Sequence, residues 1–462
     1  MENLKMKLRL ERKTALSGAT NDAFLFVEVE APKAALESKA EDLVLELALV
    51  LDVSGSMAGL PLEAAQAAAR RFVSGLREKD RLTLVVFDSH VKKLCALQSM
   101  TASHRQDVIA AINRLEAGSM TDLHGGWQEA ANTLLEGGPG EETARRVVLL
   151  SDGHANVGLT DRARLGEQAR EMASRGVYTT CVGIGDGYST EQLQALAEHG
   201  GGRLHDAERP HEIVEVVMAE LCEVLRTTAE SVRLELGFPA RAHVTCLSGY
   251  PAQFVEGAAT FQLGSLVSEG KREAVLRLRF SDRFREQDVR IQGAIRWRRP
   301  GEAADLITDE ASACLSFGPE TPRPRTKKDS KKIVNALVAH LVRAVTELNR
   351  ALDWRGLRRL ARRELLAALE LCEPHKSLHP QADHLVQLFS AARRPIEERS
   401  RKEMALANYK SARMENDLRH EQRPEWPQYL GASTKSSISN TIEDVKQWMN
   451  EEPNRRGPRH ST

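Results

Sequence analysis

The run Leu43-Val44-Leu45-Glu46-Leu47-Ala48-Leu49-Val50-Leu51-Asp52-Val53-Ser54-Gly55-Ser56-Met57 decides how this 462-residue chain is read. Residues 43–51 are apolar except for Glu46 and read as a strand. Asp52, Ser54 and Ser56 follow at alternate positions on the turn that leaves it, so their side chains can converge on one point. Working outward, residues 81–87, 145–150 and 176–182 are further short apolar strands, each separated from the next by amphipathic helical sequence. Strands joined by helices of that length imply parallel crossovers. The segment 41–228 is therefore expected to be an α/β domain with a doubly wound, mostly parallel sheet and helices on both faces.

On either side of this block the pattern changes. Residues 4–30 alternate apolar and polar, clearly in Phe24-Leu25-Phe26-Val27-Glu28-Val29-Glu30, and residues 229–317 return to the same period of two. We expect residues 1–40 to contribute strands that pair with 229–317 into one β-sandwich, with the α/β domain inserted in this sandwich or followed by it. Residues 318–330 carry three prolines and read as a linker. Val334, Leu337, Val338, Leu341, Val342, Val345 and Leu348 then recur at helical spacing. After the break at Asp353-Trp354-Arg355-Gly356 the pattern resumes at Leu357, Leu360, Leu365, Leu366 and Leu369, so 331–393 is expected to be a helical hairpin. Residues 394–462 are charged and weakly periodic, as in a solvated, partly disordered tail.

Composition excludes several functions. Sixty-five Lys and Arg balance 65 Asp and Glu, so no global field favours nucleic acid or an anionic membrane. The longest apolar run, nine residues, is far short of the roughly 20 that span a bilayer. The amino terminus, with Lys and Arg among its apolar residues, lacks the apolar core of a secretory leader. Six scattered cysteines without Cys-x-x-Cys spacing fit buried thiols in a reducing compartment. The expectation is a cytoplasmic protein.

Two later turns add oxygen donors to Asp52, Ser54 and Ser56. Gly118-Ser119-Met120-Thr121-Asp122 presents Thr121 ahead of a helix, and Leu149-Leu150-Ser151-Asp152-Gly153 ends an apolar strand with Asp152. In open α/β sheets, ligands bind outside the carboxyl ends of the strands, which is where all three turns lie. Singly, each serine or threonine reads as a helix cap and Asp152-Gly153 as a turn. Jointly, five oxygen donors at three strand ends point to a hard cation: Mg²⁺, or Mn²⁺ or Ca²⁺. Asp122 reads as a cap rather than a ligand.

The ordered trio resembles the von Willebrand factor A domain, whose metal-ion-dependent adhesion site runs Asp-x-Ser-x-Ser, then Thr, then Asp on successive loops. Asp52, Ser54, Ser56, Thr121 and Asp152 match it in order. The resemblance implies that a Glu or Asp of a protein partner completes the coordination of the ion. It also implies that the serines touch the ion directly, that Asp52 often acts through water, and that Thr121 engages according to conformational state. The helix at about 209–226, with Ile213, Val216, Val217, Leu221 and Val224 on its inner face, would shift when ligand binds. The order of segments is similar to bacterial and plant A-domain proteins related to the inter-alpha-trypsin inhibitor heavy chains. The expected function is a non-enzymatic, cation-dependent protein-binding module acting as an intracellular adaptor or scaffold. The alternative is a metal-dependent hydrolase or phosphoryl-transfer enzyme on the same face, disfavoured because a serine stands where aspartate-nucleophile phosphatases place a second Asp.

Three further features have bland readings. His124 and His154, beside the site, read as loop histidines. Cys372, His375, His379 and His384 lack the usual zinc-ligand spacing and read as an interhelix loop. Residues 321–363 carry thirteen Lys and Arg against three Asp and Glu and read as a solvated basic face.

Overall fold

The computed structural model describes residues 3–32, 43–136, 143–152, 155–185, 188, 190–207, 210–282, 284, 288–302, 304–322, 324–397 and 400–404, with the side chains of 210, 211, 220–222 and 225 set aside. The chain opens with β1 (Lys5–Leu10), β2 (Thr14–Leu16) and β3 (Asn21–Glu30). It then enters an α/β block: β4 (Val44–Asp52), α1 (Leu60–Gly75), β5 (Arg81–Phe87), β6 (Val91–Ser99), α2 (Ala102–Asn113), α3 (Leu123–Glu136), β7 (Thr143–Ser151), α4 (Arg162–Ser174), β8 (Val177–Ile184), α5 (Thr190–His199), β9 (Gly201–Ala207) and α6 (Pro210–Arg226).

The six strands of this block lie in the order β6-β5-β4-β7-β8-β9, all parallel except the edge strand β6. β4 is central and fully covered. Leu45, Leu47, Leu49 and Leu51 pack beneath α1, α2 and α6 with Phe72, Ile112 and Val217, while Ala48 and Val50 face α3, α4 and α5 with Trp127, Leu165 and Leu196. Glu46, which interrupts the apolar run, is 3% exposed and is held by Arg81 and by Arg145 at 2.9 Å, so its charge is paired. Periodicity missed β6 and β9. β6 is mostly exposed and carries Lys92 and Lys93; β9 begins Gly-Gly-Arg and is half-buried. Both lie at sheet edges, where burial imposes little apolar pattern.

β10 (Thr227–Gly237), β11 (His243–Cys246), β12 (Ala252–Val255), β13 (Ala258–Val267), β14 (Lys271–Phe280), β15 (Asp288–Arg298), β16 (Leu306–Ile307) and β17 (Ala311–Gly318) follow. They form two sheets, one ordered β1-β3-β14-β11 and the other β12-β13-β10-β15-β17-β2 with β16 beside β15. β3 pairs with β14 along its whole length, from Glu30 opposite Lys271 to Asn21 opposite Phe280. Residues before and after the α/β block thus share a sheet. Entry and exit lie together at the turn before β14, where Glu269 N donates to Pro32 O and Ser268 N donates to Arg226 O at 2.9 Å. Leu25, Val27 and Val29 pack between the sheets with Leu234, Phe261 and Ile295, whereas Phe24 and Phe26 on the opposite face pack against helices.

Those helices are α7 (Lys327–Arg350), α8 (Trp354–Leu360), α9 (Leu366–Cys372) and α10 (His379–Ala391), with a wider π turn at Ala361–Leu365 joining α8 to α9. The arrangement corrects the expected hairpin. Pro380 stands at the first turn of α10 and helps start it, a position where proline loses no helical hydrogen bond, so the chain builds a third rod. The expected linker is shorter than 318–330, because the Thr326 hydroxyl accepts from Asp329 N at 3.1 Å and begins α7 at Lys327. The expected solvated tail also starts too early at 394. Asn349, fully buried, donates to Ala392 O and Arg394 O and accepts from Ile396 N, while Met404 is 7% exposed in the helical core. The remainder of that segment, from 405, lies outside the described residues. No described helix is long and apolar enough to cross a membrane.

Candidate metal centre

β4 delivers Asp52 to the carboxyl end of the sheet. Its side chain is fully buried; one oxygen accepts from Ser54 N at 2.8 Å and the other from the Ser151 hydroxyl at 2.5 Å. The backbone then leaves the sheet through a single 3-10 turn, Gly55–Met57, before α1. Gly55 N donates to Ser119 O at 2.9 Å and Gly118 N donates to Val53 O at 2.6 Å, drawing the second loop against the first. Gly118 also leaves room for Asp88, whose carboxylate would lie 2.0 Å from a Cβ there.

Four of the five expected residues form one hydrogen-bonded set. Ser54 Oγ lies 3.2 Å from Ser56 Oγ, and Ser56 Oγ donates to Asp152 Oδ1 at 2.8 Å, with Asp52 behind them. Thr121 joins through its loop. It is 4% exposed, two residues beyond the Ser119 carbonyl that Gly55 holds; its backbone N donates to Asn156 Oδ1 at 2.9 Å, and its carbonyl accepts from Asn156 N. The loop after Asp152 is thereby laced to the loop of Thr121. Asp122 caps α3 by accepting from Gly125 N at 2.9 Å.

The electrostatics suit a cation. Burial raises the Asp152 carboxyl to about 6, with the Asp52 charge adding to the rise and the Ser56 hydrogen bond opposing it. Burial also raises Asp52, against hydrogen bonds from Ser151 and Ser54. Among the described residues no Lys or Arg pairs with either carboxylate. Among the described residues, two shielded acids without a counter-charge, with the Ser54 and Ser56 hydroxyls beside them, are the donor chemistry of Mg²⁺, Mn²⁺ or Ca²⁺. Among the described residues no three His, Cys, Asp or Glu side chains converge, so a softer nitrogen or sulfur site is not built here.

Sequence reading missed Ser151, Asp88 and Asn156. Ser151 is signalled only by its place before Asp152, Asp88 by directly following β5, and Asn156 not at all. The other features stand apart from the centre. His124 Nε2 lies 2.6 Å from Gln168 Oε1 and its ring packs near Trp127; His154 lies outside the described residues. Cys372 is buried in the helical core, where burial pushes its thiol up to about 12, and His375 meets Ser330 Oγ at 3.1 Å. In the basic segment Arg325 pairs with Glu11, Lys332 with Glu273, Arg343 with the Leu247 carbonyl and Arg350 with Glu191, while Lys327, Lys328, Lys331, Arg355, Arg359, Arg362 and Arg363 lie exposed, as a solvated face requires.

The family model of the von Willebrand factor type A domain matches residues 46–217. The chain is 27% identical over 318 residues to the uncharacterized protein sll0103 of Synechocystis, covering 65% of this chain and 74% of that one. It is 25% identical over 231 residues to human inter-alpha-trypsin inhibitor heavy chain H3, covering 48% of this chain and 25% of that one, so it spans only a quarter of the latter's length. A solved structure, the von Willebrand factor type A protein from Catenulispora acidiphila, superposes with a TM-score of 0.62 at 15% identity, covering 88% of this chain and 96% of that one. That likeness is one of fold.

Proposed function

Because residues 46–217 of this chain belong to the von Willebrand factor type A family, whose domains generally mediate protein–protein interaction, we propose that it is a divalent-cation-dependent protein-binding module. The observation that carries the reading is the hydrogen-bonded row Ser54–Ser56–Asp152 with Asp52 behind it, neither acid having a basic partner among the described residues. Asp52, Ser54, Ser56, Thr121 and Asp152 would hold Mg²⁺, with Mn²⁺ or Ca²⁺ as substitutes. The two carboxylates offset the ionic charge and the neutral hydroxyls leave it electrophilic. When bound, the ion supplies a Lewis-acidic position for an oxygen of a partner's Glu or Asp.

This chain's own residues prepare that position. Ser151 and Ser54 N hold the Asp52 carboxylate in one orientation, so that little reorganisation is needed on binding. Ser56, exposed at the rim, aims its hydroxyl at Asp152 and sets the open side of the cluster. Thr121, on the loop beside it, is the donor whose engagement would distinguish a ligand-accepting state from a resting one. The strand-paired sheets and the helical layer orient this face, as in an adaptor. Six scattered cysteines without Cys-x-x-Cys spacing fit a reducing, intracellular setting.

The test is affinity capture from lysate with the full chain, in Mg²⁺ and in EDTA, with Asp52→Ala as the control. Proteins retained by the wild type in Mg²⁺, and lost both in EDTA and with the variant, support the reading. The same proteins retained in all three conditions would refute it.

A further inference from the structure

The segment at 400–404 is fastened at both ends of a short span. Met404 is buried in the helical layer, and Lys402, only 10% exposed, crosses to the α/β domain. There its Nζ donates to Gly185 O at 2.6 Å, lies 3.8 Å from the centroid of the Tyr188 ring, and stands 3.9 Å from Asp206 Oδ1. The Tyr188 hydroxyl donates to the same Asp206 oxygen at 2.6 Å. A cation enclosed by a carbonyl, an aromatic face and a carboxylate is strongly held. All three partners sit where β8 and β9 end, on the side of the sheet that carries the candidate metal centre.

From Tyr188 the contacts run to Asp52 without a gap. The ring lies on Gly183 so closely that a Cβ there would fall 2.2 Å from a ring atom. Gly183 pairs with Ser151 across β7 and β8, and the Ser151 hydroxyl donates to Asp52 at 2.5 Å. Each link is packing, ladder or hydrogen bond, and none is flexible surface. Resting on the metal reading above, we propose that Lys402 is a positioning residue for the metal centre: through Tyr188, Gly183 and Ser151 the helical layer fixes the orientation of the Asp52 carboxylate. The cation-dependent face is then an element of the whole chain, and release of the 400–404 segment lowers its affinity. Linkage makes the effect reciprocal, so filling the metal centre tightens the segment.

The experiment uses the full chain, with Mn²⁺ as the probe, as wild type, Lys402→Met, Lys402→Arg and Tyr188→Phe. Calorimetry gives Mn²⁺ affinity, and hydrogen exchange follows peptides covering 147–152 and 400–404, with and without Mn²⁺. We expect Lys402→Met to weaken Mn²⁺ binding about fivefold to tenfold. Lys402→Arg should restore most of it, and Tyr188→Phe, which loses the Asp206 hydrogen bond, should fall between them. Exchange at 147–152 should accelerate in Lys402→Met even in EDTA, and Mn²⁺ should slow exchange at 400–404 in the wild type. Wild-type Mn²⁺ affinity in Lys402→Met, with faster exchange confined to 400–404, would reduce Lys402 to a tether and overturn the proposal. A wild type that binds no Mn²⁺ overturns the metal reading instead, and the EDTA exchange at 147–152 then decides alone whether Lys402 orders Ser151.

Discussion

Ser151→Ala removes one hydroxyl and changes almost no volume, yet it should be costly. Ser151 and Asp52 are both fully buried, and their contact is a 2.5 Å hydrogen bond to a carboxylate. Bonds of that charge-assisted kind contribute about 1.5–3 kcal/mol, and burial of both partners places the loss within that range. In EDTA the variant should therefore unfold at lower urea, by a free energy in that range. In Mn²⁺ titrations it should bind about 10–100 times more weakly, the usual consequence of removing a group that orients a metal ligand. Ser89→Ala is the control, since Ser89 meets Ser119 on the surface at 3.1 Å and should shift stability by less than about 0.5 kcal/mol. A Ser151→Ala chain that matches the wild type in both urea and Mn²⁺ titrations would mean that Asp52 is not held as described.

Three other outcomes follow from the same packing. Glu364 and Arg277 form a buried ion pair between the helical layer and β14; burial raises the Glu364 carboxyl, but Arg277 outweighs it and holds the group low. Glu364→Ala strands Arg277 and should cost about 3–5 kcal/mol in urea unfolding, whereas the double variant Arg277→Met/Glu364→Leu should recover most of it. His199 and His340 are pushed down to about 4, first by burial, then by Arg170 and Arg162 around His199 and by Arg343, Arg277 and Arg363 around His340, with Glu364 opposing at the latter. Folding keeps both neutral while the unfolded chain protonates near 6.5. Stability contributed this way is complete above that pH and is lost as pH falls from 6.5 towards 4, by about 1–3 kcal/mol per histidine, with His199→Gln and His340→Gln reducing the slope. Asp122→Ala should cost about 1 kcal/mol through loss of the α3 cap and leave Mn²⁺ affinity within about twofold; a large loss of affinity would make Asp122 a ligand.

What could be read from the chain depended on burial. Strands covered on both faces, such as β4 and β5, declare themselves by nearly continuous apolar runs, and the donors Asp52, Ser54, Ser56 and Asp152 by their places after strands, whereas Thr121 lies on the loop between α2 and α3. β3 carries its double burial openly, since Leu25, Val27 and Val29 serve one core and Phe24 and Phe26 another. Edge strands β6 and β9 carry no such pattern. Ser151 and Asn156 act through contacts with residues 99 and 35 positions away, distances at which a single sequence leaves no local trace. Lys402 is a lysine in a charged stretch until the fold brings Tyr188 and Asp206 to it, 214 and 196 positions back.

The central claim is that five oxygen donors on three loops hold a divalent cation, and calorimetric titration of Mg²⁺ into the full-length wild type and Asp52→Ala tests it most directly. The account predicts a single saturable site in the wild type and no measurable binding by an Asp52→Ala chain whose circular dichroism shows it folded. Equal Mg²⁺ heats from the two folded proteins, or none from the wild type, would contradict it.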